Sequence, residues 1–316
     1  MKFKFVILGT SPFDIYCANA ILDSGHQVSA MISMPKSSVP DNSANIEQYA
    51  TQKNISYYEF LDINSPNSIE ILRQLEPDYI FTSWPKIIGK EVLDVPNNFC
   101  IGTHPTALPF NRGRHPLHWI IDLDIPETKL SFFKLDEGID NGDMILQYPF
   151  QIADDDTIAD VNSKMNSAAY DGTKILCQKF ISEPNCSGEK QKHELANYWR
   201  MRTPHDVTLD LRMPADLIMK IVRSFTLPYP CANLIFDKYV IKIKEVTLMK
   251  TEKYGEDLQR IEPGRIISID SSKITTKAGD KIIELLSIDP IPKEMTTAKY
   301  IHPPSMYIMQ HDIKFD

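Results

Sequence analysis

Two short stretches of this chain place a histidine and an aspartate where they could exchange protons. The first is Gly102-Thr-His104-Pro-Thr-Ala-Leu-Pro-Phe-Asn-Arg112-Gly-Arg114, and the second is Asp136-Glu-Gly-Ile-Asp140-Asn-Gly142-Asp143. An apolar run before His104 reads as a buried strand, so the ring falls at a strand end. Asp140 falls on a glycine-broken turn between two further strand-like runs. A His and an Asp at neighbouring strand ends form an acid/base pair that needs neither a metal nor a nucleophilic side chain. Alone, either residue has a plainer reading: a histidine after a strand is commonly a packing residue, and Asp before Gly is an ordinary turn former. Their company argues for more. The rigid Leu108-Pro109 and the basic pair Arg112 and Arg114 around Gly113 follow His104, a loop suited to holding an anion beside a titratable group. Asp136, Glu137 and Asp143 make the turn around Asp140 more acidic than a turn requires.

The elements that must position this pair follow from hydrophobic spacing. Phe3 to Leu8 reads as a buried strand closed by Gly9-Thr-Ser-Pro12, and Phe13, Tyr16, Ala20 and Ile21 recur at helical spacing up to a stop at Gly25. Val28 to Met34 is a second strand. Ser65-Pro66 reads as an N-cap with proline at the first helical position, opening a helix through Leu75. Tyr79 to Trp84 and Phe99 to Thr103 are further strands. This β-α-β-α order predicts an α/β fold with a mostly parallel, Rossmann-like sheet and helices on both faces. Ligands of such sheets sit at the carboxyl ends of the strands, where Gly9-Thr10, Trp84-Pro85 and Gly102-Thr-His104 should converge. Gly9-Thr-Ser-Pro-Phe is not G-x-G-x-x-G, and no acid stands in place for a ribose, so a dinucleotide site is not expected.

A long helix is predicted over Thr157 to Ile181, and the polar stretch Ser182 to Lys192 reads as the start of a linker. A helix near Ala215 to Phe225 comes next. Short strand runs follow at Asn233 to Phe236, Tyr239 to Met249, Gly264 to Ile269, Lys273 to Lys277 and Ile282 to Ile288. Five short strands with turn signals between them predict a small β-barrel or curled sheet.

A chain of 316 residues, 42% hydrophobic and 24% charged, has the composition of a soluble globular protein with room for one large domain and a smaller one. Its formal net charge of −8 argues against a broad basic surface for nucleic acid, yet leaves room for a local basic pocket. Five scattered cysteines without a CxxC spacing predict reduced thiols rather than a disulfide framework or a zinc site, and no metal is expected. The N-terminus runs straight into a strand, and no stretch approaches the roughly 20 apolar residues of a membrane span, so a soluble, cytoplasmic protein is expected.

The order strand, His-x-x-x-Leu-Pro-x-x-Arg-Gly, then Gly-Ile-Asp-x-Gly-Asp resembles the 10-formyltetrahydrofolate-dependent formyltransferases, which include methionyl-tRNA formyltransferase and the sugar N-formyltransferases. Arg200-Met-Arg202-Thr-Pro, Ile221-Val-Arg223-Ser-Phe-Thr-Leu-Pro-Tyr-Pro230 and Pro263-Gly-Arg-Ile-Ile-Ser-Ile269 look like that family's linker and C-terminal, OB-like barrel domain. The resemblance implies a Rossmann-like formyltransferase domain over residues 1–190, a linker over 191–208 and an OB-like β-barrel domain over 209–316. It also implies that an amine attacks the formyl carbon of 10-formyltetrahydrofolate and passes through a tetrahedral oxyanion. His104 would take a proton from the amine or stabilise the intermediate, and Asp140 would orient the imidazole and raise its pKa. By the same resemblance Trp84, Ile88, Leu108, Glu137, Gly138 and Asp140 hold the folate, while Gly9, Thr10, Lys86, Arg112 and Arg114 face the acceptor.

One position departs from the family. Its pattern is Asn-x-His, with the Asn amide donating to the developing oxyanion, and here that position is Gly102. Losing such a donor typically costs about 2.7–4 kcal/mol. A bound water in the space left by glycine, a substrate group, the Thr103 hydroxyl or Asn141 are candidate replacements, and the same space would suit a bulkier acceptor. The segment Met34 to Asn45 is short and nearly uncharged where a tRNA-acting relative has a basic loop, which with the net charge argues against tRNA. Arg112-Gly-Arg114 and Asp136-Glu-Gly resemble the sugar branch, where arginine suits a pyrophosphate. The expected acceptor is therefore a nucleotide-linked deoxyamino sugar, such as a 4-amino-4,6-dideoxyhexose on a pseudaminic acid or other cell-surface glycan route. Two alternatives stand beside it: a methionyl-tRNA formyltransferase, and a catalytically impaired folate- or nucleotide-binding relative. A small-molecule sugar nucleotide is the expected partner, with no nucleic acid and no membrane, and with a homodimer as one assembly open to the chain.

Overall fold

The computed structural model describes residues 1–39, 43–250 and 255–315. Two compact units divide the chain. The first holds Met1–Pro116, Pro126–Ile152 and Asn162–Arg200, and the second holds Leu117–Ile125, Ala153–Val161 and Met201–Asp316.

Apolar runs without alternation make the central parallel strands of the first unit, which are covered on both faces, while the edge strand Ser56–Glu59 is more polar. These are β1 (Lys4–Leu8), β2 (Gln27–Ser33), β3 (Ser56–Glu59), β4 (Tyr79–Thr82) and β5 (Phe99–His104), all mutually parallel. A two-residue strand, β6 (Arg112–Gly113), follows. Then β7 (Glu127–Lys134) runs antiparallel to β5 and β8 (Met144–Gln151) antiparallel to β7. The seven-stranded sheet has the order β3-β2-β1-β4-β5-β7-β8. Strand order reverses between β1 and β4, so their carboxyl ends open the crevice where such sheets bind ligands.

The helices connecting the parallel strands are α1 (Pro12–Asp23), α2 (Ile46–Gln52), α3 (Pro66–Gln74) and the short α4 (Lys90–Leu93). Ser65 caps α3 by accepting from the Ser68 amide at 3.2 Å, with Pro66 at the first helical position. After α5 (Pro116–Asp122) comes α6 (Ile158–Ser182), which lays Phe180 against the sheet, its ring stacked on Tyr79 at 4.4 Å. The short α2 and β3 are not marked by the apolar spacing of the sequence, since β3 is only half buried.

Residues 191–208 are not a free linker. Tyr198–Trp199 form β9, which pairs in parallel with β6, so residues up to Arg200 belong to the first unit and those from Met201 to the second. Gln191 at the end of the polar stretch, with His193, Asn197 and Tyr198 after it, bonds to Asn111 and Arg112.

The second unit is built on α7 (Ala215–Phe225), which packs on a five-stranded antiparallel sheet. Its strands are β10 (Ala232–Phe236), β11 (Tyr239–Leu248), β12 (Ile266–Ile269), β13 (Lys273–Lys277) and β14 (Ile282–Ser287), in the order β10-β11-β14-β13-β12. Ile218, Val222, Leu234, Ile243, Ile274, Ile283 and Leu285 form its core, and α8 (Pro304–Gln310) closes the described chain. All five cysteines are buried and free, and among the described residues no helix is long and apolar enough to cross a membrane.

Asp14 ties the rim of the first unit together. This fully buried carboxyl accepts from the Ser11 amide at 2.9 Å, the Ser11 hydroxyl at 2.9 Å and the Ser83 hydroxyl at 2.7 Å, joining the loop after β1 to the loop after β4. Its side chain stands where a Cβ of residue 9 would be, so that position requires glycine. Asp14→Ala leaves these donors unpaired and should destabilise the protein by about 1–3 kcal/mol, measured by urea unfolding. An unchanged midpoint would show that the tie contributes nothing.

Candidate active site

His104 ends β5 and is 4% exposed. Its Nε2 lies 2.8 Å from the Asn111 carbonyl oxygen. A carbonyl only accepts, so Nε2 carries the hydrogen, and the neutral ring keeps its lone pair on Nδ1. Nδ1 faces Asp140 Oδ2 at 3.5 Å, an ion-pair separation rather than a hydrogen bond. The loop that brings Asn111 back to the ring is pinned by β9 and the residues before it. Asn111 has φ of 62°, its amide donates to Asn197 Oδ1 at 2.9 Å, and Asn197 Nδ2 returns a bond to Asn111 Oδ1 at 3.0 Å.

Asp140 lies in the turn between β7 and β8, also in the left-handed region with φ of 51°. Gly113 N–H donates to its Oδ2 at 3.0 Å, and Gln191 Nε2 donates to its main-chain oxygen at 3.0 Å. Burial pushes the His104 ring below the ordinary 6.5, and although Asp140 and the Asn111 carbonyl push it up, Arg112 pushes it down with burial. The net direction is down, opposite to the rise expected from an aspartate alone, because losing water outweighs a carboxyl at 3.5 Å.

Gly102 sits two residues before His104 and shares its face of the strand. A Cβ there would stand 2.8 Å from the Phe133 ring and 2.9 Å from Leu135 Cδ1. The space is therefore filled, by residues of β7 and the turn after it, and holds neither a water nor extra room for an acceptor. Thr103 points to the opposite face and is removed as a donor by the same alternation. Asn141, next to Asp140, keeps a buried Oδ1 without a partner, and its amide rests against Gly138.

The other expected contacts divide. Trp84 and Ile88 lie in one buried apolar cluster, against which Leu135 packs, and Leu108 is buried as well. Glu137 and Gly138 are exposed in the turn, with Gly138 N–H held by Asp136 Oδ1 at 2.9 Å. Gly9 is buried and Thr10 partly so, on the loop after β1. Lys86 and Arg114 are exposed on the rim: Lys86 Nζ donates to the Leu61 carbonyl, and Arg114 reaches the Pro85 carbonyl at 3.5 Å, beside Lys86. Arg112 differs from expectation. It is 1% exposed, with its guanidinium bonded to Gln191, Tyr198 and His193, so it faces the interior rather than an acceptor. Gln191 and Asn197, which hold this geometry, were hidden in a polar stretch that carries no motif. Among the described residues no group of His, Cys, Asp and Glu could hold a metal ion.

Residues 1–176 match the family model for Formyl transferase, and residues 202–302 match that for Formyl transferase, C-terminal domain. The chain belongs to the formyl transferase family. Members of the family are enzymes that transfer formyl groups and use 10-formyltetrahydrofolate as donor. Among curated relatives, the methionyl-tRNA formyltransferase of Clostridium perfringens (strain 13 / Type A) is 30% identical over 83% of this chain and 84% of its own length. That of Desulforamulus reducens is 29% identical over 89% of this chain and 88% of its own. An N-formyltransferase from Helicobacter canadensis, solved with folinic acid and dTDP-3-aminofucose, shares the fold with a TM-score of 0.61 at 17% identity, covering 91% of this chain and 99% of that one.

The residues present fit a folate. Among the buried polar atoms of the described residues without a hydrogen-bond partner are the Trp84 Nε1 donor and the Asn141 Oδ1 acceptor, and a pterin ring offers both complementary groups. Restoring the family's asparagine does not suit this site. Gly102→Asn should overpack against Phe133 and cost about 1–3 kcal/mol by urea unfolding. Adding Phe133→Leu should recover part of that loss, and a fully stable single variant would contradict the packing.

Proposed function

We propose that this chain transfers the formyl group of 10-formyltetrahydrofolate to the primary amine of a nucleotide-linked deoxyamino sugar, such as a 4-amino-4,6-dideoxyhexose destined for a cell-surface glycan. The observation that supports the acceptor class is the exposed Arg114, which reaches the carbonyl of Pro85 at 3.5 Å, next in sequence to the exposed Lys86, in a chain of net charge −8. Two neighbouring cations suit a pyrophosphate, whereas a tRNA asks for an extended basic surface. The segment after β2 adds little to such a surface, since Lys36 is its one cation, although Pro40–Asn42 lie outside the described residues.

Bound 10-formyltetrahydrofolate supplies the formyl carbon, to which the acceptor nitrogen bonds as the carbon–nitrogen bond to the folate breaks. His104 Nδ1 is the atom that takes the proton released by the amine, since Nε2 is committed to Asn111. Asp140, 3.5 Å away, balances the imidazolium that results. The folate leaving nitrogen is where that proton returns. Trp84, Ile88 and Leu108 exclude water on the donor side, with Glu137 and Gly138 presenting the turn. Thr10 and the main chain at Gly9 line the acceptor side. Gly102 offers no side chain, which leaves the Asn141 amide or an acceptor group to steady the oxygen of the formyl.

A second reading rests on a separate observation: the curated relatives named above are methionyl-tRNA formyltransferases over most of their length. A transfer assay with a panel of nucleotide-linked amino sugars beside charged initiator tRNA separates the two. Formylation of a sugar alone is expected. Formylation of the tRNA alone would overturn the choice, and folate binding with turnover on no acceptor would favour an impaired binding relative. Arg114→Ala should chiefly raise KM for the sugar nucleotide.

His104→Ala and Asp140→Ala should each lower kcat by about 10²–10⁴-fold. Because the working form of His104 is neutral and burial lowers its pKa, the acid limb of the rate profile should have its midpoint below pH 6.5. The unfolded chain takes that proton first, so in the window between the lowered value and 6.5 stability should fall as pH falls, and His104→Gln should remove this part. A kinetic midpoint above 6.5 would contradict the assignment.

A further inference from the structure

Arg112 is the largest fully buried side chain among the described residues, and no carboxylate of theirs pairs with it. A buried cation without a counter-ion is costly, and neutral acceptors only partly compensate it. Its Nη1 donates to the Tyr198 hydroxyl at 3.1 Å, and its Nη2 to Gln191 Oε1 at 2.7 Å and to His193 Nδ1 at 3.2 Å. The guanidinium has only donors, so His193 must accept through Nδ1. Its Nε has no partner.

Gln191 faces both ways. The oxygen that accepts from Arg112 leaves its Nε2 to donate to the main-chain oxygens of Asp140, at 3.0 Å, and Gly142, at 2.8 Å. The next residue after Arg112 supplies a second arm, the Gly113 N–H on Asp140 Oδ2. Side chain and main chain of one dipeptide thus hold an aspartate in the left-handed conformation, which a non-glycine residue keeps only when its surroundings enforce it.

We propose that Arg112 and Gln191 are positioning residues of the His104–Asp140 pair: Gln191 holds the Asp140 turn beside the ring, and the buried Arg112 charge biases His104 toward its neutral, proton-accepting form. This rests on reading His104 and Asp140 as the proton-handling pair. The charged and titratable groups that face the two centres are Asp140 and Arg112 around His104, and His193 and Tyr198 around Arg112. The carbonyl bonded to His104 Nε2 belongs to Asn111, the residue joined by its peptide bond to Arg112, so the chain brings the buried cation near the ring. The direction of the Arg112 effect on His104 agrees, since it lowers proton affinity where Asp140 raises it.

The two parts have opposite signs, which a purely structural role would not produce. The test follows His104 protonation by NMR in the full-length protein with labelled histidine, the signal assigned by its loss in His104→Gln. Arg112→Met should move the His104 midpoint up by about half a pH unit or more, and Arg112→Lys should hold it near the original. Gln191→Met keeps the charge but frees Asp140, so the midpoint should move down, with kcat falling at least about tenfold and KM for donor and acceptor within about twofold. Folding of each variant is checked by circular dichroism, and if Arg112→Met does not fold, Gln191→Met and Arg112→Lys still decide. An unmoved midpoint in folded Gln191→Met would overturn the proposal. So would an Arg112 variant that raises KM for the sugar nucleotide with kcat and the His104 midpoint intact, because Arg112 would then be an acceptor anchor. Full turnover by His104→Gln would instead sink the reading of the pair, a separate result, since the titration needs no substrate.

Discussion

The site depends on a buried imidazole whose two nitrogens are already spoken for in different ways. One is fixed by a main-chain carbonyl, and the other is left with a lone pair facing a carboxyl at a distance too long for a hydrogen bond. Fixing Nε2 through Asn111 decides the tautomer, and the tautomer decides which atom can accept a proton. Asn111 can present its carbonyl only because the loop after β5 doubles back through a left-handed residue, and that residue is held by Asn197. The short pairing of β6 with β9 therefore helps to fix the tautomer of His104, although the ring itself lies on neither strand.

Much of this was legible in the sequence, and the limits have physical causes. Buried parallel strands are continuous apolar runs, so β1, β2, β4 and β5 were read within a residue or two of their ends. Ser65-Pro66 announces the start of α3 because capping chemistry is local. The His104 and Asp140 stretches could be paired because strand order places their ends together. What could not be read is the destination of polar side chains. Ser182 to Lys192 and the residues after it have the composition of a solvated connection, yet Gln191 is buried, and with Asn197 and Tyr198 it holds the Asn111–Asp140 region in place. A hydrogen bond to water and one to Arg112 demand the same residue types. Arg112 shows the converse: arginine near a titratable group suggests an anion site, and only its burial reveals an inward role.

Gly102 illustrates a further limit. The sequence shows that the family's asparagine is missing, and a missing side chain suggests an empty volume. Antiparallel pairing with β7 instead sets Phe133 directly opposite Gly102, and the ring covers the glycine. Phe133 is itself buried, and Leu135 beside it continues into the cluster around Trp84 and Ile88. Glycine and phenylalanine are one packing unit in which the small residue is the condition for the large one.

That exchange changes the electrostatics as well as the shape. An asparagine amide would bring a dipole and a hydrogen-bond donor to the face of β5 that carries His104, whereas an aromatic ring and a leucine methyl bring neither. Burial is the largest influence lowering the proton affinity of His104, ahead of the opposing pull of Asp140. An apolar wall two residues away works in the same direction as the buried Arg112 charge, and both favour a neutral ring able to accept a proton. The glycine thus leaves an apolar surface, rather than a hydrogen-bond donor, on the face of β5 that carries the ring. In the proposed reaction, such a site would give up part of its stabilisation of developing negative charge, while the lowered proton affinity of His104 would favour the neutral, accepting form. It depends correspondingly more on Asp140 being held at a fixed distance, which is the work of Gly113 and Gln191.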